Sequence, residues 1–414
     1  MFHCLNRYYF QKLKNYLWHL PRSIFFNLLY SFPQRKLVLI GVTGTDGKTT
    51  TTTLIHHTLI AAGIKSDFIT TINSPGLHTT SPDAQHLIPI FAKMVKEGTT
   101  HAVIETTAHG LDQFRYWGCC FQVGVITNIT HEHFDDFVDM HRYTHAKSLL
   151  FKNSEVSVLN KDDPSFPALK SVAKKKIVSF GIANKSDYQA NNIKITGSRL
   201  SFSVNDFFIT TNSNYYYQIY NILAALAATN SLGIDPKYLI ELVLHFPEVK
   251  GRRENIINDL NIDTIIDFAH TPQALQSTLE SLRLTTKGKI IVIFGATGGR
   301  DPTKRPLMGE VVSHLADIAI ITADDTRSES VDNINEQIIA GIDQTAISQK
   351  KFRYYNIPNR QDAFNLAIRI ANPKDTVIAC GKGHETTILH GSTEYPWSEA
   401  EAFRTAFRTK NQNV

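Results

Sequence analysis

The chain has 414 residues, 42% of them hydrophobic and 20% charged, with a formal net charge of +5. Such a length sustains two or three domains with their own cores, and the composition is that of an ordinary globular protein. The small positive balance gives no reason to expect a nucleic-acid partner, though it suits anionic substrates, and Cys4, Cys119, Cys120 and Cys380 have neither zinc nor disulfide spacing. A reducing, cytoplasmic home follows as the expectation.

Residues 1–36 are rich in aromatic and basic side chains, with an apolar run from Ile24 to Tyr30. The run is too short to span a bilayer, and no small-residue cleavage site follows it. It reads as a helix packed on the body, with a membrane-surface helix as the open alternative.

From Lys36 onward the pattern is α/β. Strands are predicted at Leu37–Val42, Ala102–Thr106, Val123–Asn128 and Val156–Leu159, with helices between them, as in a parallel sheet. Alternation over 190–211 around Asn205-Asp206 predicts a hairpin, and an alanine-rich helix follows from Tyr220 to Leu232. A second block predicts strands at Thr264–Phe268, Lys289–Phe294, Ile318–Thr322 and Thr376–Ala379. The expected organisation is an N-terminal helical segment over 1–36, a central parallel-sheet ATPase domain over 37–247 and a Rossmann-like domain over 248–414.

The segment Gly41-Val-Thr-Gly-Thr-Asp-Gly-Lys-Thr49-Thr50 lies between a predicted strand and a predicted helix. Glycines let backbone wrap a phosphate, amides at the helix start point at it, and Lys48 adds a positive charge. The Thr49 hydroxyl can ligate magnesium. The residues Gly44, Thr45, Asp46, Gly47, Lys48, Thr49 and Thr50 are therefore candidate ATP contacts. Glu105 ends a predicted strand, where its carboxylate can hold magnesium against nucleotide oxygens.

The ordered landmarks GVTGTDGKTT, IETTAHGLDQFR, TNITHEHFDDF, HAKSLLF, IYNILAA, GRRENI, IDFAHTP, FGATGGRDPTKRPLMGE, TADDTRSE and GKGHE resemble those of the Mur ligase family across about 37–410. The resemblance implies ATP-dependent amide-bond formation through an acyl phosphate, with two magnesium ions. It implies His133 as a metal ligand beside Thr49 and Glu105, and Lys147 carbamylated by carbon dioxide to hold the second ion. Lys48, Glu105, His133 and Lys147 then form the catalytic set. Asn221, Arg252, Asp267 and His270 match nucleotide positions, and Thr80, Ser81, Thr107, Gln113 and Arg115 match acceptor positions. Arg300, Asp324, Asp325, Arg327, Gly381 and Glu385 match the incoming amino acid's pocket.

The landmarks are most similar to the branch that adds meso-diaminopimelate to a UDP-N-acetylmuramoyl-dipeptide in peptidoglycan precursor synthesis. Its signature Asp-Asn-Pro-Arg stands here as Asp324-Asp325-Thr326-Arg327. Arg327 can grip a distal carboxylate bidentately, whereas the extra charge of Asp325 could favour a more basic amino acid. Thr107-Ala108 stands where the family has Ser-Ser, and Thr80-Ser81-Pro82 where it has Thr-Thr-Pro. The 36 residues before the first core strand are too few for the family's uridine-gripping domain. Lysine as the added amino acid, a lipid-linked or other acceptor, and a folylpolyglutamate- or cyanophycin-type ligation stay open alternatives. A monomer is expected, with nucleotide-sugar peptide and amino-acid substrates and a peripheral membrane contact through residues 1–36 left open.

Overall fold

The computed structural model describes residues 2–73, 80–130, 134–197, 199–213, 215–246, 249–349 and 351–412. The chain divides into two compact units, Met1–Phe246 and Pro247–Val414.

In the first unit the strands are β1 (Val38–Thr43), β2 (Ser66–Ile69), β3 (His101–Glu105), β4 (Phe121–Ile126), β5 (Ser154–Asn160), β6 (Lys176–Gly181), β7 (Tyr188–Thr196), β8 (Arg199–Val204) and β9 (Phe207–Thr211). They form one sheet in the order β2-β3-β1-β4-β5-β6-β7-β8-β9. Pairing is parallel through β7 and antiparallel from β7 to β9. The expected hairpin is β8–β9: Val204 pairs with Phe207, and Asn205 takes the left-handed conformation at φ 49° that the tight turn requires. β2 and β6 were not foreseen; their short half-polar sequences carry little period-two signal.

Residues of β1 bury alternately. Ile40 and Val42 join one apolar cluster with Leu54, Ile55 and Leu59 of the helix Lys48–Ala61, while Leu39 joins another with Leu87, Phe91 and Leu150. That double-sided burial is what makes β1 read as a continuous apolar run. The helix Gln218–Ser231 is buried along Ile222–Thr229, where its alanines let it pack closely against the helix Lys48–Ala61.

Two helices, Phe2–Lys14 and Leu20–Leu29, joined by a π-helical turn at Asn15–His19, precede the sheet. They lie on the first unit with Asn15, Ser23 and Asn27 enclosed and Phe26 partly buried against its apolar cluster. Asn15 donates to the Asp112 carbonyl (3.0 Å) and carboxylate (2.8 Å), Ser23 to the Phe114 carbonyl (2.8 Å), and Asn27 to the Trp117 carbonyl (3.2 Å). No described helix is long and apolar enough to cross a membrane.

The second unit has strands β10 (Arg252–Asn255), β11 (Asp263–Asp267), β12 (Ile290–Phe294), β13 (Ile318–Ile321), β14 (Arg353–Asn356) and β15 (Thr376–Cys380) in the order β10-β11-β15-β12-β13-β14. All neighbours are parallel except β10 and β11. A separate hairpin pairs β16 (Thr387–His390) with β17 (Thr393–Pro396). Ile291, Ile293 and Ile320 pack with Phe364 and Phe403 in its core. β14 escaped the sequence reading because its Arg-Tyr-Tyr-Asn stretch is largely half-exposed.

Candidate active site

β1 sits between β3 and β4, so the chain leaving its carboxyl end enters the crevice expected at such a crossing point. There the turn Gly44–Gly47 leads into the helix that starts at Lys48. Gly47 has φ +80°, and a Cβ there would stand 2.3 Å from Asn221 Oδ1. A Cβ on Gly44 would stand 1.8 Å from Thr127 Oγ1. Both glycines are therefore demanded by space as well as by backbone conformation. The turn is laced to the loop after β4: Thr45 N donates to Asn128 O (2.9 Å) and Asp46 N to Asn128 Oδ1 (2.9 Å). Lys48 Nζ folds back onto Thr45 O at 2.7 Å. Thr50 is buried at the start of the same helix. Asn221 also accepts from Thr51 Oγ1 at 3.4 Å, so it borders the loop.

Glu105 pairs in register with Val42 at the end of β3 and is buried. Its Oε2 accepts from Thr49 Oγ1 at 3.1 Å and from Thr71 N at 3.2 Å. A hydroxyl and a carboxylate oxygen thus converge beside the glycine turn, the hard oxygen donors that magnesium takes. No group of three or more His, Cys, Asp or Glu side chains gathers into a metal centre among the described residues. His133 lies outside the described residues. Lys147, on the helix Met140–Lys152, is buried and donates to Gly44 O at 2.6 Å, with its ammonium 4.5 Å from the centre of the Tyr143 ring.

The acceptor candidates form one network. Ser81 Oγ receives bonds from Thr107 N (3.0 Å), Thr107 Oγ1 (2.9 Å) and Tyr116 OH (2.7 Å). Thr80 Oγ1 lies 2.9 Å from Thr71 Oγ1, which borders Glu105. Arg115 donates to Gln113 Oε1 (3.0 and 2.6 Å), to Ser81 O, and pairs with Asp83 at 3.1 Å. Tyr116 and Asp83 were missed in the sequence; neither stands in a phosphate or metal pattern. Burial pushes the Tyr116 hydroxyl well above its usual pKa, so it stays a proton donor to Ser81.

In the second unit the carboxyl ends of β11, β12, β13 and β15 carry the other candidates. Asp267 accepts from Arg253 N (3.0 Å) and Ala269 N (2.9 Å). His270 Nδ1 donates to Phe268 O at 2.8 Å, and Lys304 Nζ to His270 O at 3.0 Å. The Arg252 guanidinium lies 4.3 Å from the Phe268 ring centre. His384 is held neutral: burial first, then the nearby cations Arg252, Lys250 and Lys382, lower its pKa to about 3.

Four of the amino-acid candidates, Asp324, Asp325, Gly381 and Glu385, lie around the buried cation Lys382. Lys382 Nζ donates to Asp325 Oδ1 at 2.7 Å and pairs with Glu385 at 2.5 Å. Asp325 Oδ1 also accepts from Leu389 N at 2.9 Å. Burial works against the charged form of Asp324, yet Lys382 and Arg360 hold its pKa below the usual carboxylate range. For Glu385 burial wins and the pKa rises. Gly381 has φ +113°, and a Cβ there would stand 2.6 Å from Asp324 Oδ2. Arg327 takes φ +50°, uncommon for a non-glycine residue, and its Cδ lies against Gly299, next to Arg300. Glu329 fastens that loop, accepting from Gly299 N (2.6 Å) and from both terminal nitrogens of buried Arg305 (2.7 and 2.9 Å). Lys382, Glu329 and Arg305 were missed, although Lys382 stands inside the GKGHE landmark.

A sequence profile of the Mur ligase middle domain matches residues 42–229, and one of the Mur ligase glutamate ligase domain matches 251–383. UDP-N-acetylmuramoyl-L-alanyl-D-glutamate–2,6-diaminopimelate ligase 1 of Clostridium acetobutylicum is 35% identical over 90% of this chain and 78% of its own. The corresponding ligase of Geobacillus kaustophilus is 34% identical over 94% of this chain and 82% of its own. A solved structure of a UDP-N-acetylmuramoyl-L-alanyl-D-glutamate–2,6-diaminopimelate ligase superposes with a TM-score of 0.63 at 27% identity, covering 92% of this chain and 81% of that one. With both profiles and relatives of this identity spanning most of its length, the chain belongs to the Mur ligase family of ATP-dependent, amide-forming ligases.

Proposed function

We propose that the chain joins meso-diaminopimelate to the free carboxylate of a UDP-N-acetylmuramoyl-dipeptide, with ATP converted to ADP and phosphate, in peptidoglycan precursor synthesis. The observation that carries this reading is the meeting of Thr49 and Glu105 oxygens, 3.1 Å apart, beside the glycine turn that ends at Lys48. It supports a nucleotide held by the amides of Gly44–Thr50, with Asn221 at its adenine edge; Arg252, Asp267 and His270 are assigned as nucleotide contacts on the family resemblance. Thr49 and Glu105 would hold one magnesium ion, and His133 with Lys147 as its carbamate a second, supplying charge neutralisation for the transferring phosphoryl group.

The protein's own part is positioning and charge. Thr80, Ser81, Thr107, Gln113 and Arg115 orient the acceptor. Its carboxylate oxygen attacks the γ-phosphorus, the bond to the ADP oxygen breaks, and an acyl phosphate forms. Lys48 stabilises the charge growing on the phosphoryl oxygens. The amine of the amino acid then attacks the acyl carbon, loses a proton, and expels phosphate. Arg300 and Arg327 grip the distal carboxylate of the amino acid, and Asp324 and Glu385 face its ammonium group, with Gly381 leaving room. The carboxylate of Asp325 is engaged by Lys382, which supports diaminopimelate over lysine despite the departure from Asp-Asn-Pro-Arg. We assign the enzyme to the cytoplasm, as a monomer, with a peripheral membrane contact through residues 1–36.

The test is the mass of the product formed from ATP, UDP-N-acetylmuramoyl-dipeptide and either diaminopimelate or lysine. A product with diaminopimelate supports the assignment. Lysine as the better substrate moves the specificity to Asp325, and no product with either amino acid would reject the nucleotide-sugar substrate.

A further inference from the structure

The two N-terminal helices are amphipathic in the reverse sense. Among the described side chains the buried ones are Asn15, Ser23 and Asn27, all hydrogen-bonded to the first unit, with Phe26 partly buried against its apolar core. Their outer side carries Phe10, Leu13, Leu17, Trp18, Phe25 and Leu29, each between 56% and 70% exposed. A helix that only has to pack on a globular body turns its apolar stripe inward. Here Phe26 turns toward the core while these six large apolar side chains stay exposed, a concentration of the kind that marks an interaction surface.

Charge identifies the occupant. Residues 1–36 hold six cations (Arg7, Lys12, Lys14, Arg22, Arg35 and Lys36) and no acidic residue, while the whole chain nets +5. The remaining residues therefore net −1, and the positive excess of the molecule is concentrated in this segment. Ten of its residues are Phe, Tyr or Trp. Lys12 reaches back to Asp112, Arg22 lies 3.6 Å from Asp83 and Arg35 lies over the Phe32 ring at 4.1 Å, but Lys14 and Lys36 are exposed. Exposed aromatics with flanking cations suit the headgroup layer of an anionic bilayer, where rings sit at the interface and cations meet lipid phosphates. A second copy of the chain fits poorly, because an isologous contact would set one acid-free cationic segment against another.

We propose that this outer face docks the protein on an anionic lipid bilayer. The proposal deepens the peripheral contact assigned to residues 1–36 and rests on it, not on the ligase chemistry. The surface is joined to the acceptor candidates through one layer of helix, about 10 Å thick. The bonds from Asn15, Ser23 and Asn27 end on Asp112, Phe114 and Trp117, the stretch that carries Gln113 and Arg115. The Tyr16 ring also packs on Phe114, 5.2 Å between centres, where Phe114 is held at φ +53°. Docking thus presents the acceptor-binding stretch to substrates at the membrane surface.

The test is co-sedimentation of the full chain with vesicles of equal parts phosphatidylcholine and phosphatidylglycerol, without substrates, beside analytical ultracentrifugation of the protein alone. The wild type is expected to bind these vesicles at least ~10-fold better than phosphatidylcholine vesicles, with binding falling as salt rises. The triple variant Leu17→Glu, Trp18→Glu, Leu29→Glu is expected to lose binding by at least ~10-fold while keeping its melting temperature and its ligation of a soluble acceptor. The pair Lys14→Glu, Lys36→Glu, which leaves the apolar face intact, is expected to lose the preference for anionic vesicles. Equal partition of wild type and triple variant overturns the proposal. So does a wild-type dimer that the triple variant dissolves with no vesicle binding by either, since the face then belongs to a second copy.

Discussion

Around Gly44–Thr49 the first unit works mainly with backbone: two glycines that tolerate no Cβ, amides at a helix start, and Asn128 and Thr127 holding the turn from behind. The loops of the second unit that carry the amino-acid candidates are built on opposed charges instead, with Lys382 between Asp325 and Glu385 and Arg305 clasped by Glu329. A backbone cradle is specified by contiguous small residues and suits any phosphate chain. A charge-balanced pocket is specified by partners far apart in sequence, and its selectivity depends on the whole balance. Damage to the first should remove activity outright, whereas damage to the second should change which amino acid is used.

The largest effect is expected at Lys147. Replacing it with Ala should lower turnover by about 10²-fold or more, because charge stabilisation at the transferring group is lost. Added bicarbonate should not restore it. A variant keeping more than about a tenth of the wild-type rate removes Lys147 from the mechanism.

Next is Gly47→Ala, which must place a Cβ 2.3 Å from Asn221 Oδ1 at a φ of +80°. The expected outcome is loss of the rise in melting temperature that ATP gives the wild type, a shift that mass action predicts for any ligand of the folded state. An undiminished rise would separate the glycine turn from nucleotide binding.

In the second unit, Lys382→Met should cost about 3–5 kcal/mol, since it strips a buried cation from its carboxylate partners. Adding Asp325→Asn should recover part of that loss, as removing both ends of a buried pair is milder than removing one. Denaturant titration of the single and double variants measures the coupling. Additive losses would mean that Lys382 does not offset Asp325.

The smallest and most selective effect is at Arg327. Its replacement by Ala should lower the ratio of kcat/KM for diaminopimelate over lysine by roughly 30–150-fold, the equivalent of about 2–3 kcal/mol for one charge-assisted bidentate contact. Wild-type preference for lysine would show that Asp325 sets the specificity.

This contrast also explains what the sequence could disclose. The turn after β1 and the end of β3 could be read because glycines, Lys48, Thr49 and Glu105 stand in patterns tied to strand ends. The α/β class followed from the alternation of apolar strands and helices, and the family and broad activity from the ordered landmarks. Asp325 was read as an added negative charge, because its neutralising partner Lys382 lies on another loop 57 residues away. The N-terminal run of Ile24 to Tyr30 reads as a helix packed on the body; Phe26 of that run does pack there, but the enclosed residue is Asn27. Composition reports how apolar a helix is, not which side its neighbours satisfy. Buried polar residues find partners such as the carbonyls of Phe114 and Trp117 that no periodicity reveals.

The proposed reaction turns on activation of an acceptor carboxylate as an acyl phosphate. It is tested most directly by labelling that carboxylate with heavy oxygen and weighing the inorganic phosphate released during ligation. One labelled oxygen is expected in each phosphate, carried over when the amine attacks the acyl carbon and expels phosphate. Unlabelled phosphate formed alongside amide product would contradict it.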